Sequence, residues 1–298
     1  MSAGAAGPPG PAPRGAVWPG LADFHSHSTA SDGQLAPAAL AAAAVAAGLK
    51  LLALTDHDTV DGLPEFLEAG SAVGVVALAG VEISLLYPGT MHLLGLNVGG
   101  APGLPASLEA LKAFRADRNR RMLEKLDQLG YHISRERLLE ISGGGQTGRP
   151  HFAAALVESG CFQTSEDVFK KLLGRGGPGY VEKAKLAPER GLTMLREAGW
   201  APVLAHPASL ALSGESELAP VIEKLVDHGL VGLEVYHPTH DRRQTALFSR
   251  LARRYGLTPT GGSDFHGPRK PQSPLGWTIE HSLAGLDALD GLQRKMSY

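Results

Sequence analysis

Six short, strand-like runs in this chain each lead into a histidine or an acidic residue. Residues 21–24 precede His25 and His27, 51–55 precede His57, 75–79 precede Glu82, 202–205 precede His206, 231–236 precede His237, and 257–260 precede Asp264. Runs of this length are too short for buried helices and match parallel strands covered on both faces. Stretches with helical spacing lie between them. Strands that alternate with helices imply an α/β fold built on a parallel sheet or barrel. In such barrels chemistry collects at the C-terminal ends of the strands, where these histidines and acids fall.

The elements read in order as follows. Residues 1–20 are Gly, Ala and Pro with a single charge, Arg14, and cannot bury a core. The stretch also lacks the apolar region of a secretory signal, so we expect a disordered tail. The first strand is expected over 21–25, with a turn at Ser31-Asp32-Gly33. A helix follows over 38–47, with Pro37 in its first turn and Gly48 as its stop. A strand over 51–55, a helix over 64–69, and strands over 75–79 and 91–98 complete the first part. From 101 to 185 the pattern is mostly helical. Leu108, Leu111, Phe114, Met122, Leu126 and Leu129 keep helical spacing, Arg149-Pro150-His151 opens a second helix, and 168–173 makes a third. The β/α rhythm then resumes, with helices over 192–198, 218–228, 241–255 and 283–295 and strands over 202–205, 231–236 and 257–260. The domain reading is a barrel from 21–100 and 186–298, interrupted by a helical domain over 101–185 that caps the substrate. The insertion carries a net charge of +4 and the remainder −6, which together return the chain's −2.

Composition narrows the function. A net charge of −2 gives no global pull toward nucleic acid or a membrane surface, and no apolar run approaches the roughly 20 residues of a membrane span. A single cysteine, Cys161, excludes an intrachain disulfide and a cysteine zinc site, and suits a reducing, cytoplasmic setting.

His25 and His27, two residues apart in an extended segment, point the same way. Together with Asp32, His57, Glu82, His92, His206, Asp264 and His266 they make nine imidazole and carboxylate groups, the ligands of divalent metals. Spacing alone gives a multinuclear metal site; were the substrate a phosphate ester, such ions would neutralise it and lower the pKa of a bound water, so hydrolysis would need no Ser or Cys nucleophile. Arg149 offers a planar cationic fork suited to phosphate, with Lys171 and Lys183 as alternatives. Asp56 and Asp58 flank His57, either orienting it or holding its turn. His237 stands at a strand end and could face the pocket. His132, His228, His240 and His281 read as capped surface or core residues. Arg118, Arg121 and Lys125 form a helical stripe read as a solvated face. Gly143-Gly144-Gly145 reads as a flexible loop, since no Lys-Ser/Thr follows it as in a nucleotide-binding loop.

His25-x-His27, Thr55-Asp56-His57, Gly80-Val81-Glu82, Ala205-His206-Pro207 and Ser263-Asp264-x-His266 resemble, in order, the motifs of the polymerase and histidinol phosphatase (PHP) superfamily. The resemblance implies a distorted (β/α)7 barrel that binds two or three ions, with Mn2+ expected and Zn2+, Fe2+ or Mg2+ as alternatives. By motif position His25, His27, Glu82 and Asp264 would hold the first ion. Glu82 would bridge to a second held by His92 and His206, and Asp32, His57 and His266 would form the third site. Thr147-Gly148-Arg149-Pro150-His151 and Gly179-Tyr180-Val181 resemble the subgroup with a helical insertion. Its members hydrolyse nucleoside 3′,5′-bisphosphates, and some trim short RNA from the 5′ end. That implies Glu82, His206, Asp264 and Arg149 in catalysis, substrate contacts from Asp32, His57, Arg149, His237 and His266, and a nucleotide or short-RNA substrate; no membrane is expected and no protein partner is inferred. A phosphatase of a small metabolite such as histidinol phosphate, or a non-catalytic metal-binding module, are the competing readings.

Overall fold

The computed structural model describes residues 21–101, 107–143, 145–182, 184–268, 270–277 and 285–297. The tail over 1–20, Lys183, His281 and the start of the expected last helix lie outside them. Seven strands follow one another around the sheet in chain order: β1 (Leu21–Asp23), β2 (Leu49–Leu54), β3 (Val76–Leu85), β4 (Met91–Leu96), β5 (Ala201–Leu204), β6 (Gly232–Tyr236) and β7 (Thr258–Gly261). Past the strand ends, Phe24 N–H donates to Gly261 O (3.1 Å), Asp264 N–H to His25 O (3.0 Å) and His27 N–H to Phe265 O (2.9 Å). These bonds join the last strand's extension to the first and nearly close a barrel. All neighbouring pairs are parallel except those of β4, which runs antiparallel to both β3 and β5. The reason is length: the few residues between β3 and β4 make a turn, whereas a parallel return needs a crossover of a dozen or more.

The strand side chains divide with period two. Leu51, Ala53, Leu94, Leu96, Ala201 and Val203 fill one cluster, the barrel interior, while Leu52, Leu54, Leu93 and Leu204 join a second cluster under the helices. That outer layer is covered by α1 (Pro37–Ala46) and α2 (Leu63–Val73), whose Leu40, Ala41, Ala44 and Phe66 are buried. Each helix has Pro in its first turn, and Gly48 and Gly74 behind them take the left-handed conformation that ends a helix.

After β4 come α3 (Ser107–Gln128), α4 (Arg135–Ile141), α5 (Arg149–Glu158) and α6 (Ser165–Val168), the last continuing as a π-helical turn over Phe169–Leu173. The short α4, capped by the Ser134 hydroxyl accepting from Arg137 N–H, adds to the helices expected from sequence. Met122, Leu126, Leu138, Phe152, Leu156, Val168 and Leu172 form a cluster of their own, while Leu108 and Leu111 at the start of α3 belong to the barrel's outer layer. Leu129, expected in the apolar stripe, is exposed, because α3 stops at Gln128 and Gly130 turns the chain in a left-handed conformation.

The remaining helices are α7 (Pro188–Glu197), α8 (Glu215–Asp227), α9 (Arg242–Arg254) and α10 (Gly285–Met296). Helix α10 touches β1, β5 and β7 and sends Ala288, Leu289 and Leu292 into the interior cluster, so it lies across one mouth of the barrel. No helix of the described residues is long and apolar enough to cross a membrane.

Candidate metal centre and active site

Glu82, on β3, lies at the middle of the site and is buried. Its Oε1 is 2.6 Å from His92 Nδ1 and 3.0 Å from His206 Nε2. Its Oε2 is 2.9 Å from His57 Nδ1, 3.2 Å from His27 Nε2 and 3.4 Å from His25 Nε2. Asp264 Oδ1 stands 3.2 Å from His27 Nε2, 3.5 Å from His25 Nε2 and 3.4 Å from His266 Nδ1. Asp32 closes the cluster, 3.3 Å from His266 Nε2 and 3.9 Å from both His27 Nδ1 and His57 Nε2. All nine residues singled out in the sequence therefore meet in one place. His237 joins their edge, its Nε2 3.9 Å from Asp264 Oδ2 and its ring 5.5 Å from that of His206.

Three overlapping groups have donor atoms within 4.8 Å of one another: His25, His27, Glu82 and Asp264; His57, Glu82 and His92; and His27, Asp32, His57 and His266. Both nitrogens of His27, His25 Nε2, His57 Nδ1 and Glu82 Oε2 are buried with no hydrogen-bond geometry to any protein group. Burying such atoms unpaired is costly. Their convergence fits divalent ions.

Strand ends carry these groups at a cost in backbone conformation. Among the described residues, non-glycine positive φ occurs at Asp58, His206, Ala211 and Asp264, and three of these are at or beside the cluster. Asp56 holds the turn that presents Asp32: it accepts from Ser28 N–H (2.8 Å) and from the hydroxyls of Ser28 (2.6 Å) and Ser31 (2.5 Å). Asp23 likewise ties β1 to the 263 and 276 turns by accepting from the N–H groups of Ser263 (2.9 Å) and Gly276 (3.0 Å).

The charges are strongly coupled. Burial opposes ionisation of Glu82, but His57, His92 and His25 hold its carboxyl well below the usual range. Burial likewise opposes ionisation of Asp264 and Asp32, and His266 is the foremost histidine holding each well below its ordinary value. Burial pushes His27 down, yet the adjacent Asp264 and Glu82 outweigh it and carry the imidazole up to about 9. His92 and His237, dominated by burial, fall to about 4.

A PHP domain model matches residues 23–169. The 5′-3′ exoribonuclease Rnm of Salmonella typhimurium is 36% identical over 250 residues, 83% of this chain and 85% of that protein. The 3′,5′-nucleoside bisphosphate phosphatase of Chromobacterium violaceum is 34% identical over 259 residues, 86% of this chain and 90% of that protein. The chain belongs to the PHP family. Among solved structures, a Bifidobacterium adolescentis protein assigned to the metal-dependent phosphoesterases superposes with a TM-score of 0.81 at 29% identity, covering 92% of this chain and 96% of its own. The family is one of metal-dependent hydrolases, and the barrel and its His/Asp/Glu cluster conform to it.

Beside this PHP centre lies a second, cationic group, of which the sequence pointed to Arg149 but not to Arg115 or Arg118. Arg118, expected on a solvated face, is only 4% exposed. Its Nε and that of Arg115 are buried without a hydrogen-bond partner. Burial, then the neighbouring Arg115 and Arg149, push the Arg118 guanidinium down to about 9. Arg115 itself is paired with buried Asp58, next to His57. Arg149 opens α5, lies 5.4 Å over the Tyr180 ring and donates to Leu173 O (3.4 Å). The other two stripe residues are also engaged: Arg121 donates to Glu182 O (3.1 Å) and Lys125 to Tyr180 O (2.9 Å). Lys171 is exposed and paired with Asp167. Of the three glycines, Gly144 lies outside the described residues, and Gly145 is docked: a side-chain carbon there would collide with Thr29 O, and Gln146 N–H donates to Ala30 O (2.9 Å). His132 and His228 are exposed, bonded to Asp127 and to Lys224 O, while His240 is buried and bonded to Val235 O.

Proposed function

We propose that this protein removes the 3′-phosphate of nucleoside 3′,5′-bisphosphates, yielding the 5′-monophosphate, and trims short RNA in the 5′ to 3′ direction by the same chemistry. The observation that carries the reading is the pairing of two unlike charged sites. The His/Asp/Glu cluster suits ions that take the phosphate to be cleaved. Arg118 and Arg149, with Arg115 beside them, suit a second phosphate that is gripped and not cleaved, because guanidinium binds phosphate through two parallel hydrogen bonds. A substrate with one phosphate gives the second group nothing to do.

In this reading His25, His27, Glu82 and Asp264 hold one ion, Glu82, His92 and His206 a second, and Asp32, His57 and His266 a third, with Mn2+ the expected metal and Zn2+, Fe2+ or Mg2+ the alternatives. When bound, such ions neutralise phosphate charge and acidify water. The chain's own residues do the rest. Arg118 and Arg149 fix the remote phosphate, Arg115 holds α3 to the His57 loop through Asp58, and His237 borders the pocket from the β6 side. The segment 101–185 acts as the substrate cap, and a nucleotide substrate together with a single cysteine supports a cytoplasmic setting.

The test is a side-by-side kcat/KM of Mn2+-loaded protein on adenosine 3′,5′-bisphosphate, short 5′-phosphorylated RNA and histidinol phosphate. We expect the bisphosphate to be turned over at least a hundredfold better than histidinol phosphate, an estimate of roughly 3 kcal/mol for the gripped phosphate. Equal or better hydrolysis of histidinol phosphate would overturn the nucleotide assignment.

A further inference from the structure

A carboxylate that neither cluster uses stands directly behind the metal centre. Glu234, in β6, is completely buried. Its Oε1 lies 3.1 Å from His25 Nδ1, and its Oε2 accepts the His206 backbone N–H at 2.6 Å. One side chain thus touches two residues of the site that come from different strands, β1 and β5, across the barrel interior. Its partners are those most in need of support. His25 is wholly buried, and its Nε2, turned to the carboxylates of Glu82 and Asp264, makes no hydrogen bond. His206 has a φ of 25°, an unfavourable conformation for a residue with a side chain. The space around Glu234 is shaped for it: a side-chain carbon at Gly262 would collide with both the His25 Cβ and the Glu234 carboxylate.

We infer that Glu234 is a positioning residue that braces His25 and His206 together, fixing which nitrogen of His25 faces the centre and holding the His206 peptide in its strained turn. An acceptor beside Nδ1 requires the proton there and leaves the Nε2 lone pair free to bind an ion. The second oxygen holds the His206 N–H, and so the start of the 3-10 turn Pro207–Leu210 that follows. A neutral amide cannot do both. Glutamine offers one oxygen where two donors need an acceptor, so one of them faces an NH2 group. The inference rests on the reading of the cluster as a metal site, and it makes Glu234 a determinant of metal affinity without itself being a ligand.

The experiment uses the full chain with Glu234→Gln and Glu234→Ala, and reads metal affinity by titration of chelator-treated protein with Mn2+ alone, alongside crystal structures of the variants. Removing such an outer partner typically costs ten- to a hundredfold in metal affinity. We expect at least a tenfold weaker Mn2+ affinity for Glu234→Gln, with the His25 ring rotated or the 206 peptide flipped. Glu234→Asp, which keeps the charge but is one carbon shorter, should recover part of the affinity. Mn2+ affinity within twofold of wild type, or His25 and His206 unmoved in both variants, overturns the proposal. A folding role alone would lower the melting temperature of chelator-treated protein and leave the affinity of the folded fraction unchanged, and that outcome also overturns it. Failure of the wild-type chain to bind Mn2+ would instead defeat the metal reading, while the crystallographic arm would still decide whether Glu234 braces the two residues.

Discussion

At the scale of single residues, Glu82 decides most. Its two oxygens divide five histidines between them, three on Oε2 and two on Oε1. Replacing it with alanine removes a carboxylate shared by two of the three groups that could hold an ion. We expect Glu82→Ala to lose more than one ion per chain in elemental analysis, whereas His266→Ala loses one at most. An unchanged metal content in the glutamate variant would disprove the bridging role. Protons compete for the same atoms. In chelator-treated protein His27, carried up to about 9 by Asp264 and Glu82 against burial, holds a proton at neutral pH. A metal must displace that proton, so binding should tighten as pH rises from 7 toward 9. Calorimetric titration at pH 7.5 in two buffers of different ionisation enthalpy should reveal release of about one proton or more per chain. Identical heats in both buffers would contradict this.

At the scale of elements, helix α3 joins the two halves of the site. Its first turns belong to the barrel's outer layer, its middle supplies Arg115 and Arg118, and its end packs within the helical cluster. Arg118 is the clearest case of function set against stability. A buried guanidinium next to two others is unfavourable without an anion. Arg118→Ala should therefore raise the melting temperature in phosphate-free buffer yet lower kcat/KM for the bisphosphate by roughly ten- to a hundredfold, with metal content kept. Arg149→Ala should show the same kinetic loss. Asp58→Asn acts oppositely, since it strips buried Arg115 of its counter-charge, and should destabilise the protein by on the order of 3 kcal/mol. Denaturant melts of Arg118→Ala and Asp58→Asn separate these outcomes by sign.

At the scale of the whole molecule, the nine residues of the centre come from the C-terminal ends or flanking turns of β1, β2, β3, β5 and β7 and from the start of β4. Ions there would tie together strands that the sheet joins only to their neighbours. Anything that binds the folded state alone stabilises it, by about 2.7 kcal/mol at a hundred times Kd for one site. For a chain of this size that corresponds to a drop of roughly 5–10 °C in melting temperature on chelation, reversed by Mn2+. A melting curve unmoved by chelator would argue against ions as part of the fold's closure.

The sequence by itself showed the seven strands, the helices on either side of the 101–185 segment and the nine residues that the fold brings together. It could do so because the signals are local. Strand ends show as short apolar runs, and divalent metals accept few side-chain types, so His and Asp at strand ends stand out wherever the strands lie. The rest depended on what packs opposite. Arg118 belongs to a basic stripe whose spacing is the same whether it faces water or a pocket; only tertiary packing, which brings Arg149, Asp58 and Tyr180 near it, buries it. Glu234 sits in an apolar run as one acid among many, and only barrel closure brings it to His25, 209 residues away in the chain. Gly145 looks like part of a flexible loop in the sequence, and only packing sets Thr29 against it. Residue type and short-range periodicity are written in the chain, whereas burial of a charge and the pairing of distant side chains are properties of the space between elements, which exists only once they have packed.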